Sequence, residues 1–142
     1  MNYFFSRQQL PLPILVLRIS IGIIYLWFGM LKFFPHASPA EDLAKETIQI
    51  ITFGLISPNL SIILLAVWET IVGVLLISGF FCRVAMPLVV AHMIFTFTPL
   101  ILLPHLSFTH LPYALTLVGQ YIVKNIVIVS ALLVIKSHLR DC

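Results

Sequence analysis

Residues 64–76 read LLAVWETIVGVLL and place Glu69 at the centre of a run that is otherwise almost entirely apolar. The whole chain has the same character, because 61% of its 142 residues are hydrophobic and only 9% are charged. A soluble domain carries about 25% charged residues. The sequence therefore predicts an integral membrane protein, in which the carboxylate of Glu69 needs a specific partner or role.

Four apolar segments are long enough to cross a bilayer. A helix of about 20 apolar residues crosses a hydrocarbon core of roughly 30 Å, and the segments that qualify are residues 13–34, 61–80, 84–103 and 115–135. Their continuous apolar runs favour helices over barrel strands. We predict an all-α membrane protein, a four-transmembrane-helix bundle that forms a single transmembrane domain over residues 1–142.

A shorter element is predicted between spans one and two. Ser38 and Pro39 precede two acidic residues, a typical helix start, and the apolar positions that follow have helical spacing. The apolar part of the segment 39–57 is too short to cross a bilayer, so we expect a short amphipathic helix at the outer surface. It serves either as a connector that caps the bundle or as a lid over a pocket.

Positive charges predict the orientation. The side that holds both chain ends carries more lysine and arginine than the other side, where only Lys32 and Lys45 lie. Cytoplasmic segments carry such an excess, so both termini are expected in the cytoplasm and the chain in the cytoplasmic (inner) membrane. The residues that carry this argument are Arg7, Arg18, Arg83, Lys136 and Arg140.

Several cofactors are not expected. The two cysteines, Cys82 and Cys142, form no CxxC pair, so neither a disulfide framework nor a membrane dithiol site is expected. His92 is the only histidine within a span, and a bis-histidine haem would need two. The outer histidines have no recognised metal-ligand spacing, so no metal site is predicted at His36, His105 and His110.

Polar residues recur on one face of each span. In span one, helical spacing places on a single stripe Arg18, Gly22, Tyr25, Gly29 and Lys32. A charge at the bilayer centre costs roughly 3 kcal/mol, so such residues face the protein interior and find partners. We expect Glu69 and Lys124 to pair near mid-depth, with Lys32 reaching the outer surface. The predicted interior cluster is Arg18, Glu69, His92, Gln120, Lys124 and Asn125.

This cluster has two interpretations. Two basic residues against one carboxylate leave the interior positive, which suits an anionic or carbonyl-bearing ligand such as a quinone or a small oxyanion. Alternatively, the polar residues fix the register of the helices and do no chemistry.

Three stretches resemble the DoxX-like family of small integral membrane proteins. They are residues 17–33, LRISIGIIYLWFGMLKF; residues 68–85, WETIVGVLLISGFFCRVA; and residues 119–135, GQYIVKNIVIVSALLVI. The segment FTFTPLILLP after His92 also resembles a DoxX subgroup. The resemblance assigns family-motif positions to Gly22, Gly29, Lys32, Gly73, Gly79 and Arg83. It also covers the polar-cluster residues Arg18, Glu69, Gln120, Lys124 and Asn125.

The resemblance implies a four-span bundle related to the membrane subunit of thiosulfate:quinone oxidoreductase, and a link with redox or oxidative-stress partners. The resemblance identifies the positions of the family's characteristic residues, but it does not assign them a chemical mechanism. The expected function is therefore a membrane subunit of a redox system, with no covalently bound cofactor, quinone as the expected ligand, and electrons supplied by a partner protein. Lipid surrounds the chain, and no nucleic-acid partner is expected.

Two other functions stay open. A small transporter for an anion or weak acid would use the same basic interior, and with four spans it would require a homodimer. A non-catalytic membrane scaffold would recruit a partner through the outer helix and loop.

Overall fold

The computed structural model describes residues 10–138, apart from the side chain of Arg83. The helices and strands, in chain order, are α1 (Leu12–Leu31), α2 (Glu41–Ile51), α3 (Pro58–Ser78), α4 (Cys82–Phe95), α5 (Pro99–Leu102), α6 (Pro104–Ser107), β1 (Phe108–His110), β2 (Ala114–Leu115) and α7 (Leu117–His138).

The four predicted spans are confirmed. Helices long and apolar enough to cross a membrane cover Leu12–Leu31, Pro58–Ser78, Val84–Leu102 and Leu117–His138. The third of them consists of α4, a turn and α5. The amphipathic helix between spans one and two is also confirmed, because α2 occupies the middle of the segment 39–57.

Prolines and one glycine set many of the helix ends. Pro58, Pro99 and Pro104 each lie at the start of a helix, where a residue without an N–H and with a fixed φ fits best. Helix α3 ends at Gly79, whose φ of 78° lies in the left-handed region. Glycine adopts this conformation with little strain because it has no Cβ. The chain then turns directly into α4.

Helices α1 and α3 run antiparallel in close contact, and glycine makes that contact possible. A Cβ added at Gly73 of α3 would lie 2.6 Å from the backbone nitrogen of Leu26 in α1. On the other side of the contact, a Cβ at Gly29 would lie 2.8 Å from the backbone nitrogen of Thr70, and Gly22 is equally crowded by Ile77. Small residues are typical of such contacts in membranes, where packing drives helix association.

The apolar core lies where the spans meet. Its buried side chains come from all four spans and include Ile21, Leu76, Val89 and Leu132. A smaller cluster joins α2 to the end of the third span and to the fourth span through Leu43, Leu103, which directly follows the third span, and Ile122. The side of the bundle that carries α2 is called the α2 side below, and the opposite side the chain-end side.

The connection before α7 is more ordered than the sequence predicts. Its short helix α6 and the two-stranded antiparallel sheet β1–β2 had no periodic signal. Thr116 fastens them to α7, because its Oγ1 donates to the carbonyl of Leu106 at 2.7 Å and accepts from the amide of Gly119 at 3.1 Å. A Cβ at Gly119 would overlap the carbonyl oxygen of Ser107, so this end of α7 also depends on a glycine.

Glu41 fixes the start of α2. Its carboxylate accepts a hydrogen bond from Lys45 Nζ at 2.5 Å and another from the amide of His36 at 2.8 Å. The hydrogen bond from Lys45 and, after it, the one from the His36 amide hold the pKa of Glu41 below its ordinary value. The connection between α1 and α2 is thereby tied to the first turn of α2.

Enlarging Gly73 tests the contact between α1 and α3. We expect Gly73→Leu to lower stability by about 1–3 kcal/mol, because the added side chain must push the two backbones apart. The matched control is Ala91→Leu, which enlarges an exposed position of α4. Thermal unfolding of both purified variants in detergent checks this, and equal stability of the two would contradict the close contact.

Lowering the pH tests the role of Glu41. Because the pKa of Glu41 is depressed in the fold, its stabilising contribution is present at neutral pH and is lost as the pH falls below 4.5 and through the folded pKa. We expect amide hydrogen exchange in α2 to accelerate over that range. Glu41→Gln should remove this acceleration, whereas Glu46→Gln, at an exposed position of the same helix, should retain it.

Candidate functional site

Glu69 forms a buried ion pair with Lys32. Lys32 Nζ lies 2.5 Å from Glu69 Oε2, and the two residues are only 8% and 9% exposed. The predicted pairing of Glu69 with Lys124 is therefore wrong. Lys124 is exposed on α7, where its Nζ lies 5.2 Å from the centre of the Tyr121 ring.

The contact between α1 and α3 explains why Lys32 is the partner. A Cβ at Gly29 would lie 3.0 Å from the Cβ of Glu69, so Glu69 faces the last turn of α1. Lys32 follows Gly29 by three residues, on the same face of the helix. The sequence predicts that Lys32 reaches the outer surface, but the side chain turns inward because the carboxylate lies beside it.

A second polar contact lies between α1 and α4. Tyr25 Oη and His92 Nδ1 are 3.1 Å apart, with the donor set by the histidine tautomer. The His92 ring makes edge contacts with Tyr25 and with Trp68, at centroid distances of 5.7 and 6.3 Å. Tyr25 is buried, whereas His92 and Trp68 are half-buried.

The two polar contacts belong to one cluster. Tyr25 and Lys32 share a face of α1 at a spacing of seven residues, and Trp68 directly precedes Glu69 in α3. We call these residues the Tyr–His cluster, which consists of Tyr25, Lys32, Trp68, Glu69 and His92. It is enclosed at its ion pair and half-open at the rings of His92 and Trp68.

The other predicted cluster residues lie apart from it. Arg18 is buried near the chain-end side, where its Nη1 lies 3.7 Å from Cys82 Sγ. Asn125 donates to Thr96 Oγ1 at 3.0 Å and so joins α7 to the third span. Gln120 is exposed, like Lys124.

The charge of the interior is consequently different from the prediction. Lys32 neutralises Glu69, and Lys124 faces outward. Arg18 remains as a buried cation, and neither ion pair of residues 10–138 involves it. The basic interior predicted around Glu69 is thus absent from that part of the protein, and the buried positive charge lies near the chain-end side.

The family-motif glycines hold the helices together. Gly22, Gly29 and Gly73 permit the contact between α1 and α3. Gly79 lies against the guanidinium of Arg18, which a Cβ there would overlap. The side chain of Arg83 lies outside the described part of the structure.

Sequence analysis placed Tyr25 and Lys32 on the correct face of α1 but omitted both from the predicted cluster. The signal that identifies them is the pair of glycines Gly29 and Gly73, which fixes how α1 and α3 align. Helical spacing alone does not show which helices are neighbours. Within residues 10–138, no group of three or more His, Cys, Asp or Glu side chains is arranged to hold a metal ion.

A double-mutant cycle tests the ion pair. We expect Lys32→Met and Glu69→Leu each to lower stability by about 3–5 kcal/mol, because either change leaves one buried charge without its partner. The double variant should lose much less than the sum of the two. Lys124→Met, at an exposed lysine of α7, is the control, and additive losses for Lys32→Met and Glu69→Leu would contradict the pair.

Comparison with known proteins places the chain in a family. A model of the DoxX family matches residues 13–104, which is more than half of the chain and includes α3, α4 and nearly all of α1. The match ends before α7, so the resemblance of residues 119–135 depends on their motif alone. Comparison with curated proteins and with solved structures gives no match. The chain belongs to the DoxX family of membrane proteins.

Proposed function

We propose that the chain is the membrane subunit of a redox system and that the Tyr–His cluster binds the headgroup of a membrane quinone. The observation that carries the proposal is the hydrogen bond between Tyr25 and His92. It lies at a half-open face of the protein, next to a buried ion pair.

The two half-buried rings are suited to a quinone ring. His92 of α4 and Trp68 of α3 are partly exposed along spanning helices, so a ligand dissolved in the bilayer reaches them without passing through water. Aromatic rings pack against one another in offset or edge-to-face arrangements. A quinone ring beside Trp68 would thus be held by packing. A hydrogen bond to its carbonyl oxygen would fix where the ring lies.

His92 is the group proposed to bind that carbonyl. Its Nδ1 faces the hydroxyl of Tyr25, so its Nε2 is the nitrogen that can donate to a ligand. In that tautomer Nδ1 accepts the hydrogen bond, and Tyr25 donates it. Tyr25 thereby orients the imidazole and fixes which nitrogen carries the proton.

The same residues can handle protons. A quinone takes up two electrons and two protons when it is reduced to the quinol. His92 can give its Nε2 proton to the quinone oxygen while Nδ1 takes up the hydroxyl proton of Tyr25. Water at the half-open face then returns a proton to Tyr25 and supplies the second proton of the quinol. The ion pair of Lys32 and Glu69 supplies fixed charges in a medium of low dielectric, where they act strongly on a nearby developing charge.

The electrons are proposed to come from a partner redox protein. Residues 10–138 contain no cluster of metal-ligating side chains, and the sequence contains no CxxC pair. The proposal also retains the cytoplasmic membrane and cytoplasmic termini. The basic residues Arg18 and Lys136 at the chain-end side support that orientation.

The anion-transport alternative loses its main support. It rested on a basic interior built from Arg18 and Lys124 around Glu69, and Lys124 is exposed. The scaffold alternative makes the opposite prediction to the quinone site, because it leaves the Tyr–His cluster without a ligand.

Tryptophan fluorescence tests the quinone site directly. The chain has two tryptophans, of which Trp68 lies in the cluster and Trp27 lies 66% exposed on α1. We expect a menaquinone or ubiquinone analogue in lipid nanodiscs to quench Trp68 in a saturable manner, measured in Trp27→Phe. In Trp68→Phe, the remaining Trp27 should report only unsaturable quenching by quinone dissolved in the lipid.

Substitution of the cluster completes that test. His92→Ala in the Trp27→Phe background should abolish saturation, and Tyr25→Phe should weaken quinone binding by roughly tenfold, the equivalent of about one hydrogen bond. If the quenching of Trp68 in Trp27→Phe is as unsaturable as that of Trp27 in Trp68→Phe, the result contradicts the proposal and favours the scaffold alternative.

A further inference from the structure

A buried guanidinium lies at the other end of α1, away from the Tyr–His cluster. Arg18 is 8% exposed, and its Nε is a buried donor with no hydrogen-bond partner. The two ion pairs of residues 10–138 are formed by other residues. Arginine is always charged in proteins, so this end of the interior holds a positive charge that no carboxylate of residues 10–138 neutralises.

The surroundings of Arg18 add further positive potential. Its Nη1 lies 3.7 Å from the sulfur of Cys82, which is the first residue of α4, and its guanidinium lies against Gly79. Helix α4 has 14 residues, and the side chain of its N-cap residue, Phe81, makes no capping hydrogen bond. The start of a helix carries a partial positive charge of about +0.5, so two features of the same sign meet there.

We propose that a phosphate-like oxyanion binds between the guanidinium of Arg18 and the first turn of α4. A guanidinium binds phosphate through two parallel hydrogen bonds, and the start of a helix binds phosphate through its backbone N–H groups. The unpartnered Nε of Arg18 is one donor that such an anion would engage. An anion there also offsets the like-charge repulsion between the two features.

This site is separate from the proposed quinone site. Arg18 precedes Tyr25 by seven residues, which corresponds to about 10 Å along α1. It follows the start of α1 by six residues, or about 9 Å, so it lies close to the chain-end surface of the bundle. Two sources of the anion are therefore within reach, which are the headgroup of an anionic phospholipid and dissolved phosphate.

Thermal unfolding of the full chain in neutral detergent tests the site and separates the two sources. One arm titrates inorganic phosphate against chloride at equal ionic strength. The other adds phosphatidylglycerol or, as its neutral counterpart, phosphatidylcholine. We expect phosphate or phosphatidylglycerol to raise the Tm of the unchanged protein in a saturable manner, and whichever does so identifies the source.

Substitutions link that stabilisation to Arg18. Arg18→Gln should weaken the apparent affinity by at least about tenfold, since it removes hydrogen bonds to a charged group. The control is Lys136→Gln, which removes an exposed basic residue near the end of α7 and should bind as the unchanged protein does. Arg18→Lys keeps the charge but loses the two-donor geometry, so it should also bind the anion more weakly. It replaces Arg18→Gln in the test if that variant does not fold.

Two results would overturn the proposal. In one, neither phosphate nor phosphatidylglycerol shifts the Tm of the unchanged protein. In the other, the Arg18 variants respond as Lys136→Gln does, which would assign the stabilisation to surface charge.

Discussion

The close contact between α1 and α3 is the constraint on which the rest of the structure depends. In a bilayer, helices gain little from hydrophobic burial against each other, so packing and polar contacts must hold them together. Gly29 and Gly73 let the two backbones approach until side chains on either helix can meet across the contact. That alignment brings Lys32 beside Glu69 and solves the problem of a carboxylate in an apolar span.

The ion pair in turn defines what the interior can do. Neither Lys32 nor Glu69 would be tolerated alone at such burial, whereas together they form a neutral unit with fixed dipolar character. Such a unit can be purely architectural. Its setting beside Tyr25 and the half-open rings of His92 and Trp68 is what favours a ligand, because a closed architectural pair does not need an accessible hydrogen-bonded histidine nearby.

Hydropathy was sufficient to predict the membrane architecture. Each span is a long apolar run, and α2 has both a start signal and helical spacing, so these elements follow from local sequence. The elements that were missed, α6 and the sheet β1–β2, are two to four residues long. Their positions depend on contacts such as that of Thr116 with Leu106, which no local pattern encodes.

The site was predicted less completely, for a related physical reason. Helical spacing identified the faces that carry Glu69, Tyr25 and Lys32, but two lysines competed for one carboxylate. Depth in the membrane favoured Lys124, because Lys32 lies nearer the outer end of its span, but the choice depends on which helix lies next to α3. The glycine contact makes that choice, and it places Lys124 outside the cluster.

The distance between the lysine nitrogen and the glutamate carboxyl carbon is the most direct test of this account. Solid-state NMR of the protein in lipid, with ¹⁵N at lysine Nζ and ¹³C at glutamate Cδ, measures it; a Lys45→Gln background removes the second ion pair. We predict strong dipolar dephasing that persists in Lys124→Arg and disappears in Lys32→Arg. Dephasing that survives Lys32→Arg and is lost in Lys124→Arg would show that Glu69 pairs with α7, and would contradict the arrangement on which the account is built.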